Sequence, residues 1–199
     1  PTIADDLKKS SLYAGLFALL AIFLYILIRF SKWQYSAGAI IALFHDALIV
    51  LSVFSIAKSF LPFSLEIDQA FIAALLTVIG YSINDTVIVF DRIREFFTIH
   101  ANKSKDEVIN AAINTTLSRT LMTSFTTIIV ILILFLFGGG SIKGFAFALL
   151  IGIVVGTYSS IFIAAPVLHD LGSDLKVNRR IADKPVKTEE GKSFARSAK

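Results

Sequence analysis

The chain has 199 residues, of which 55% are hydrophobic and only 17% charged, and its mean hydropathy is +0.75. A soluble domain of this size cannot bury so much apolar surface in one core, so the composition indicates an integral membrane protein. Cysteine is absent from the sequence, which excludes disulfides, thiolate catalysis and sulfur-ligated metal sites within it. The formal charge of +4 does not indicate a nucleic-acid partner, because lysine and arginine gather where apolar runs end.

Five apolar runs are long enough to cross a bilayer, which takes about 20 residues of α-helix. The predicted fold is therefore an all-α membrane domain over residues 11–171. Residues 1–10 form an outer-face lead-in that opens abruptly, and we expect it to continue a longer chain. The predicted spans are residues 12–28, 36–57, 69–89, 120–137 and 144–168.

The distribution of basic residues predicts the direction of these spans. Arg29 and Lys32 follow the first span, further basic residues follow the third, and a basic tail over residues 172–199 follows the fifth. By the positive-inside rule these connections face the cytoplasm, so the N-terminal end lies outside. Lys8 and Lys9 near the outer end count against this orientation but are fewer. Because the tail has almost nothing to bury, we expect it to be solvated, disordered and able to touch anionic lipid headgroups.

The connection between the third and fourth spans contains a predicted cytoplasmic amphipathic helix over residues 104–118. Ser104 and Glu107 have the spacing of a capping box, and Val108 and Ile109 begin an apolar face. Such a helix at the inner surface would run into the fourth span. Its role is either that of a solvated connector or that of a docking site, and the sequence does not separate the two.

The fifth span contains Gly152 and Gly156, four residues apart. Small residues at this spacing let two membrane helices approach closely. Since glycine is frequent in membrane helices, we predict a helix-packing face here rather than a chemical site.

Two acidic residues lie inside the predicted spans, where an ionisable side chain is costly and usually functional. Asp46 lies roughly 15 Å from the inner end of the second span, and its neighbour His45 points about 100° away, so the two are not expected to pair. Asp85 lies roughly 10 Å inside the boundary marked by Arg92, with Asn84 beside it. A plainer alternative is that Asp46 and His45 form a satisfied interhelical hydrogen-bond pair.

Arg119 enters the fourth span from its inner end. Because the third and fourth spans are antiparallel, Arg119 and Asp85 fall at nearly the same depth, and the geometry allows a switchable ion pair between them. Hydroxyl side chains between residues 115 and 127 would hold water on this helix. The alternative is that Arg119 is an anchor whose long side chain reaches the membrane surface.

A carboxylate at this depth suits proton carriage if its charge is stabilised in only some conformations, by an approaching arginine or by admitted water. The membrane potential would contribute about 2.3 kcal/mol per charge per 100 mV. In this interpretation Asp85 is the proton carrier and Arg119 its charge partner, with Asn84, Asp46 and His45 in the polar network around them. The pattern predicts a transducer rather than an enzyme, with no metal and no cofactor.

The sequence GYSINDTVIVFDRIRE at residues 80–95 resembles SecF, the smaller half of the SecDF protein-export complex. The resemblance continues in order through four more motifs and covers about residues 7–171. The NDT within the first motif favours the SecF half over the SecD half. The further motifs are ALFHD at 42–46, SRTLMTS at 118–124, FGGG at 137–140 and FAFALLIGIVVGTYSSIFIAAPV at 145–167.

The resemblance implies the resistance-nodulation-division architecture, in which each half has six membrane helices and an exported domain between the first two. The five spans here would be the last five of one such half. Whether the parent is a fused SecDF or a separate SecF stays open. In the family, the aspartate and the arginine that match Asp85 and Arg119 belong to the proton route, together with an aspartate of SecD.

The resemblance therefore predicts the membrane part of a SecF-type subunit in the bacterial inner membrane, coupling inward proton flow to late-stage export of polypeptides through the Sec channel. The implied partners are the SecD half, the SecYEG channel, YajC, translocating preproteins, protons and membrane lipids. Two alternatives stay open. One is a proton-coupled exporter of small molecules or lipids with the same architecture, and the other is a structural subunit that stabilises the channel.

Overall fold

The computed structural model describes residues 3–63, 65–100 and 102–172, so the predicted basic tail after Gly172 lies outside the described residues. Within these ranges five helical segments are long and apolar enough to cross a membrane, which confirms the predicted all-α membrane class. The helices are α1 (Ile3–Phe30), α2 (Trp33–Ala57), α3 (Gln69–Ile99), α4 (Lys105–Phe137) and a final rod of α5 (Gly140–Ser159), a π-helical turn (Ser160–Ala164) and α6 (Ala165–Leu171).

Specific residues end and begin these helices. Ser31 has a φ of 57°, in the left-handed region, and this conformation turns the chain from α1 into α2. At the start of α3, the side chain of Asp68 accepts a hydrogen bond from the backbone N–H of Phe71 at 2.9 Å. That bond satisfies one of the N–H groups that have no partner inside the helix.

α3 and α4 are longer than the predicted spans. α3 has 31 residues, or roughly 46 Å of helix, whereas the hydrocarbon core of a bilayer is about 30 Å thick. α4 has 33 residues and joins the predicted surface helix to the fourth span without a break, because residues 105–137 contain neither glycine nor proline. The predicted capping box is confirmed: Ser104 Oγ accepts from the N–H of Glu107 at 3.3 Å, and the Glu107 carboxylate accepts from the N–H of Ser104 at 3.0 Å.

α5 packs most extensively against α3, and glycine makes this contact possible. A Cβ atom placed on Gly152 would lie only 2.0 Å from Cγ2 of Val78, and one on Gly156 would lie 2.9 Å from Cβ of Ser82. The two backbones therefore approach more closely than any side chain at these positions would allow. α1, in contrast, is mostly uncovered: 6% of its spanning window is buried, against 56% for the final rod.

The buried residues form two apolar clusters with a polar layer between them. One cluster surrounds Phe90 and Ile93 and includes the ends of α1 and α6, and the other surrounds Phe54 and Phe71. We call them the inner and the outer cluster, after the predicted orientation of the spans. Along each of α2, α3 and the final rod, buried polar residues separate the positions that belong to the two clusters. We call the following residues the polar layer: Asp46, Ser82, Asp85, Ser124, Thr157 and Ser159.

Candidate functional site

Asp85 lies in the polar layer on α3 and is 2% exposed. Its Oδ2 atom is buried and has no hydrogen-bond partner among the residues that the structure describes. Leaving a buried acceptor unpaired costs about 1–3 kcal/mol, and more when the group is charged. Because folded proteins rarely keep such an atom without a reason, Asp85 stands out as a functional position.

α4 brings two side chains towards Asp85. Ser124 faces the Asp85 carboxyl, and its hydroxyl also shares a 2.6 Å hydrogen bond with Thr157 Oγ1 of α5. The Arg119 side chain lies in the wall of a cavity that also includes Ile88, which is one turn after Asp85 on α3. The Arg119 side chain is exposed, however, and in the described ranges no salt bridge joins it to Asp85. The structure therefore places both residues in one region, while the switchable ion pair stays a prediction.

A cavity of about 630 Å³ lies where α1, α3 and α4 meet, and Arg119 forms part of its wall. Its other charged residues are partly paired with each other: Arg29 binds Asp91 and Arg92 binds Glu95, each at 2.7 Å. All four of these side chains are between 37% and 49% exposed. The cavity is thus a hydrophilic vestibule that reaches Arg119.

Asp46 is fully buried and is hydrogen-bonded to three side chains. Its Oδ2 accepts hydrogen bonds from Ser82 Oγ of α3 at 2.6 Å and from Ser159 Oγ of α5 at 2.8 Å. Its Oδ1 lies 3.1 Å from Nδ1 of His45. Asp46 therefore ties α2 to both α3 and α5.

The expectation that His45 and Asp46 would not pair was wrong. The two Cβ atoms do point about 100° apart around α2. The imidazole is long enough, however, that Nδ1 reaches back to the neighbouring carboxylate. The spacing argument located the Cβ atoms but did not allow for the reach of the ring.

The remaining site residues show what the sequence missed. Asn84, which was expected beside Asp85, has an exposed side chain, because the two residues point to different sides of α3. Ser82, one turn before Asp85, could have been found from its spacing on the same helix face. Ser159 could not, because nothing local in the sequence indicates that it faces α2. In the part of the chain that is described, no group of three histidine, aspartate or glutamate side chains is arranged to hold a metal ion.

These features define a multi-pass α-helical membrane protein whose interior holds ionisable groups between two apolar clusters. Residues 1–174 match the family described as Protein export membrane protein SecD/SecF, C-terminal. The chain belongs to this family, and its similarity is to the SecF half. The resemblance seen in the motifs is thereby confirmed.

Two relatives and two solved structures illustrate the extent of the similarity. The chain is 58% identical to protein translocase subunit SecF of Rhodothermus marinus over 182 residues, which are 92% of this chain and 59% of the relative. It is 48% identical to SecF of Vibrio alginolyticus over 172 residues, covering 86% of this chain and 52% of the relative. The chain thus spans between half and three fifths of the length of these relatives.

The crystal structure of SecDF in a super-membrane-facing form superimposes with a TM-score of 0.78 at 41% identity, covering 92% of this chain and 23% of that one. The structure of SecDF from Thermus thermophilus, described as a translocon-associated membrane protein, gives a TM-score of 0.77 at 42% identity. It covers 84% of this chain and 22% of the other. The helical bundle therefore matches the fold of one part of the longer SecDF chain.

Proposed function

We propose that this chain is the membrane part of a SecF-type translocase subunit, which couples inward proton flow to late-stage export of polypeptides. The relatives named protein translocase subunit SecF support the export role. One observation supports the proton role above all: Asp85 is almost fully buried, yet one of its oxygens has no partner. The proposed task is transport, without covalent chemistry.

In this mechanism Asp85 binds and releases the proton. Arg119 stabilises the carboxylate form when its guanidinium approaches, and it lines the vestibule through which a released proton leaves. Asp46 and His45 form the polar surroundings of the carrier, whereas Asn84 points to another side of α3. Each change of charge on Asp85 alters the attraction between α3 and α4, so proton passage is coupled to helix movement. The membrane potential adds about 2.3 kcal/mol per charge per 100 mV.

The proposed setting is the bacterial inner membrane, with the N-terminal end outside and the arginine-rich connections in the cytoplasm. The proposed partners are the SecD half, the SecYEG channel, YajC, translocating preproteins and membrane lipids. The surface of α1 supports the idea of a larger assembly, because most of it is uncovered here. The SecD half would contribute a second aspartate to the proton route.

The test replaces Asp85 by asparagine in the complete SecDF complex. Asp85→Asn keeps the shape of the side chain but cannot exchange a proton, so we expect the stimulation of preprotein export by a proton gradient to be lost while the complex still folds. Asp170→Asn is the matched control, because Asp170 is a carboxylate 80% exposed at the end of α6. Full stimulation in Asp85→Asn vesicles contradicts the proposal.

Proton conductance of the same vesicles separates the alternatives. A proton-coupled translocase should conduct protons more when a preprotein is in transit, whereas a structural subunit should conduct none. An exporter of small molecules or lipids should conduct protons regardless of preprotein.

A further inference from the structure

Asp46 is a buried ionisable group whose hydrogen bonds differ from those of Asp85. Asp46 is fully buried, and both of its oxygens have partners. Asp85 is buried with one oxygen unpaired. A proton carrier needs a carboxylate oxygen that is open to a proton, whereas both oxygens of Asp46 are already engaged in hydrogen bonds. The two acids therefore suit different tasks.

The hydrogen bonds of Asp46 connect α2 to α3 and α5, and each of the two serines involved has only one proton to donate. Ser82 donates it to Asp46 Oδ2 at 2.6 Å, and Ser159 donates to the same oxygen at 2.8 Å, with a longer contact of 3.2 Å to the Gly156 carbonyl. Because both serines donate their proton here, they need a common oxygen that accepts hydrogen bonds. Loss of that oxygen would leave the Ser82 hydroxyl without its acceptor and Ser159 with only the longer contact to the Gly156 carbonyl.

These bonds act on the turn of α3 that carries Asp85. Ser82 precedes Asp85 by three residues, so the two lie one above the other on the same helix face. Gly156 packs against Ser82, with a distance of 2.9 Å from a Cβ built there to Ser82 Cβ, and it precedes Ser159 by three residues. The π-helical turn begins immediately after Ser159. Asp46 and the α5 turn behind it therefore both contact α3 one turn before Asp85.

We infer that Asp46 is a positioning residue, which holds Asp85 at the depth and angle where α4 can reach it, and that it carries no proton itself. This role rests on the proposed proton function of Asp85. We call the Asp46–Ser82–Ser159 group the carboxylate clasp.

Asparagine and alanine at position 46 separate positioning from proton carriage. In Asp46→Asn the amide oxygen can still accept from both serines, because both bind the same oxygen, and the amide nitrogen can donate to Nδ1 of His45. We expect Asp46→Asn to keep most of the proton-stimulated export of the complete SecDF complex. Asp46→Ala removes the acceptor, and we expect it to lower stimulation by about 10- to 100-fold, the size of effect that follows loss of a side chain that orients a metal ligand.

The double variant Ser82→Ala with Ser159→Ala gives an independent check, because it removes the donors and keeps the acid. A positioning role predicts that it loses export stimulation as Asp46→Ala does. The inference is overturned if Asp46→Asn is as inactive as Asp46→Ala, or if the double serine variant is fully active. Should Asp46→Ala fail to fold, Asp46→Asn and the serine variant still decide between the two roles.

Spin-label distances between α2 and α3 keep this inference separate from the proposed function. Breaking the clasp should change that distance in Asp46→Ala but not in Asp46→Asn or Asp85→Asn. If Asp85→Asn exports normally, the proton route is refuted, and the distances still show whether the clasp positions α3. Unchanged distances in Asp46→Ala would refute the clasp alone.

Discussion

Replacement of Gly152 by alanine tests the close packing of α3 and α5 directly. The new Cβ atom would lie 2.0 Å, 2.6 Å and 2.9 Å from Cγ2, Cγ1 and Cβ of Val78. Ordinary carbon contacts are about 3.5–4.0 Å, so the overlap is about 1.5 Å. Val78 is 1% exposed, and a valine in a helix has one strongly preferred rotamer. It cannot turn away, and the helices must separate.

The expected cost follows from two opposing effects. Overpacking of a filled site costs about 1–3 kcal/mol, and an overlap of this size against a stiff, buried side chain belongs at the upper end. Alanine is better than glycine inside a helix by about 1 kcal/mol. The net expectation is a loss of about 2 kcal/mol in the free energy of unfolding. Gly80→Ala is the control, because nothing lies within 4 Å of a Cβ at Gly80, and it should be neutral or stabilising by up to about 1 kcal/mol.

Denaturant titration of the complete subunit in mixed micelles would measure both variants, with the free energy obtained by linear extrapolation. Adding Val78→Ala to Gly152→Ala removes both Cγ atoms that cause the overlap and should recover part of the loss. If Gly152→Ala is as stable as Gly80→Ala, the close approach of α3 and α5 does not limit stability, and the packing argument is wrong.

Two further predictions concern the ends of the helices. Ser104→Ala removes the N-cap of α4 and should lower stability by about 1 kcal/mol, visible as faster hydrogen exchange in the first turn of α4; unchanged exchange there would contradict the role of the cap. Asp91→Asn breaks the ion pair with Arg29. Because the side chains of Asp91 and Arg29 are 45% and 41% exposed, this change should lower the free energy of unfolding by less than about 1 kcal/mol. A double-mutant cycle with Arg29→Gln measures that pair, and a coupling well above this value would show that the pair is shielded from solvent.

Much of the fold could be predicted from the sequence, because membrane helices require long apolar runs and helix ends require particular capping residues. The number of spans depends on the length of apolar runs, and the start of α4 depends on Ser104 and Glu107, which are close together in the chain. Both kinds of signal are local. The sequence also predicts that the surface helix runs into the fourth span, and α4 is one continuous helix because no glycine or proline interrupts residues 105–137.

The candidate site was harder to predict because its contacts join distant parts of the chain. Asp85 and Asp46 are visible in the sequence as acids in apolar runs. The feature that distinguishes them is the set of donors around each one, and those donors come from other helices: Ser159 is 113 residues from Asp46 along the chain. No periodicity contains that information. It depends on helix rotation, which Gly156 and the π-helical turn help to set.

The polar layer between the inner and outer clusters has one more consequence. Each cluster consists of packed aromatic and aliphatic side chains, which exclude water and ions. The buried acids Asp46 and Asp85 lie in the polar layer between the two clusters. Under the proposed proton function, loosening one cluster while the other stays packed would let a proton reach the polar layer without opening a continuous path through the bundle.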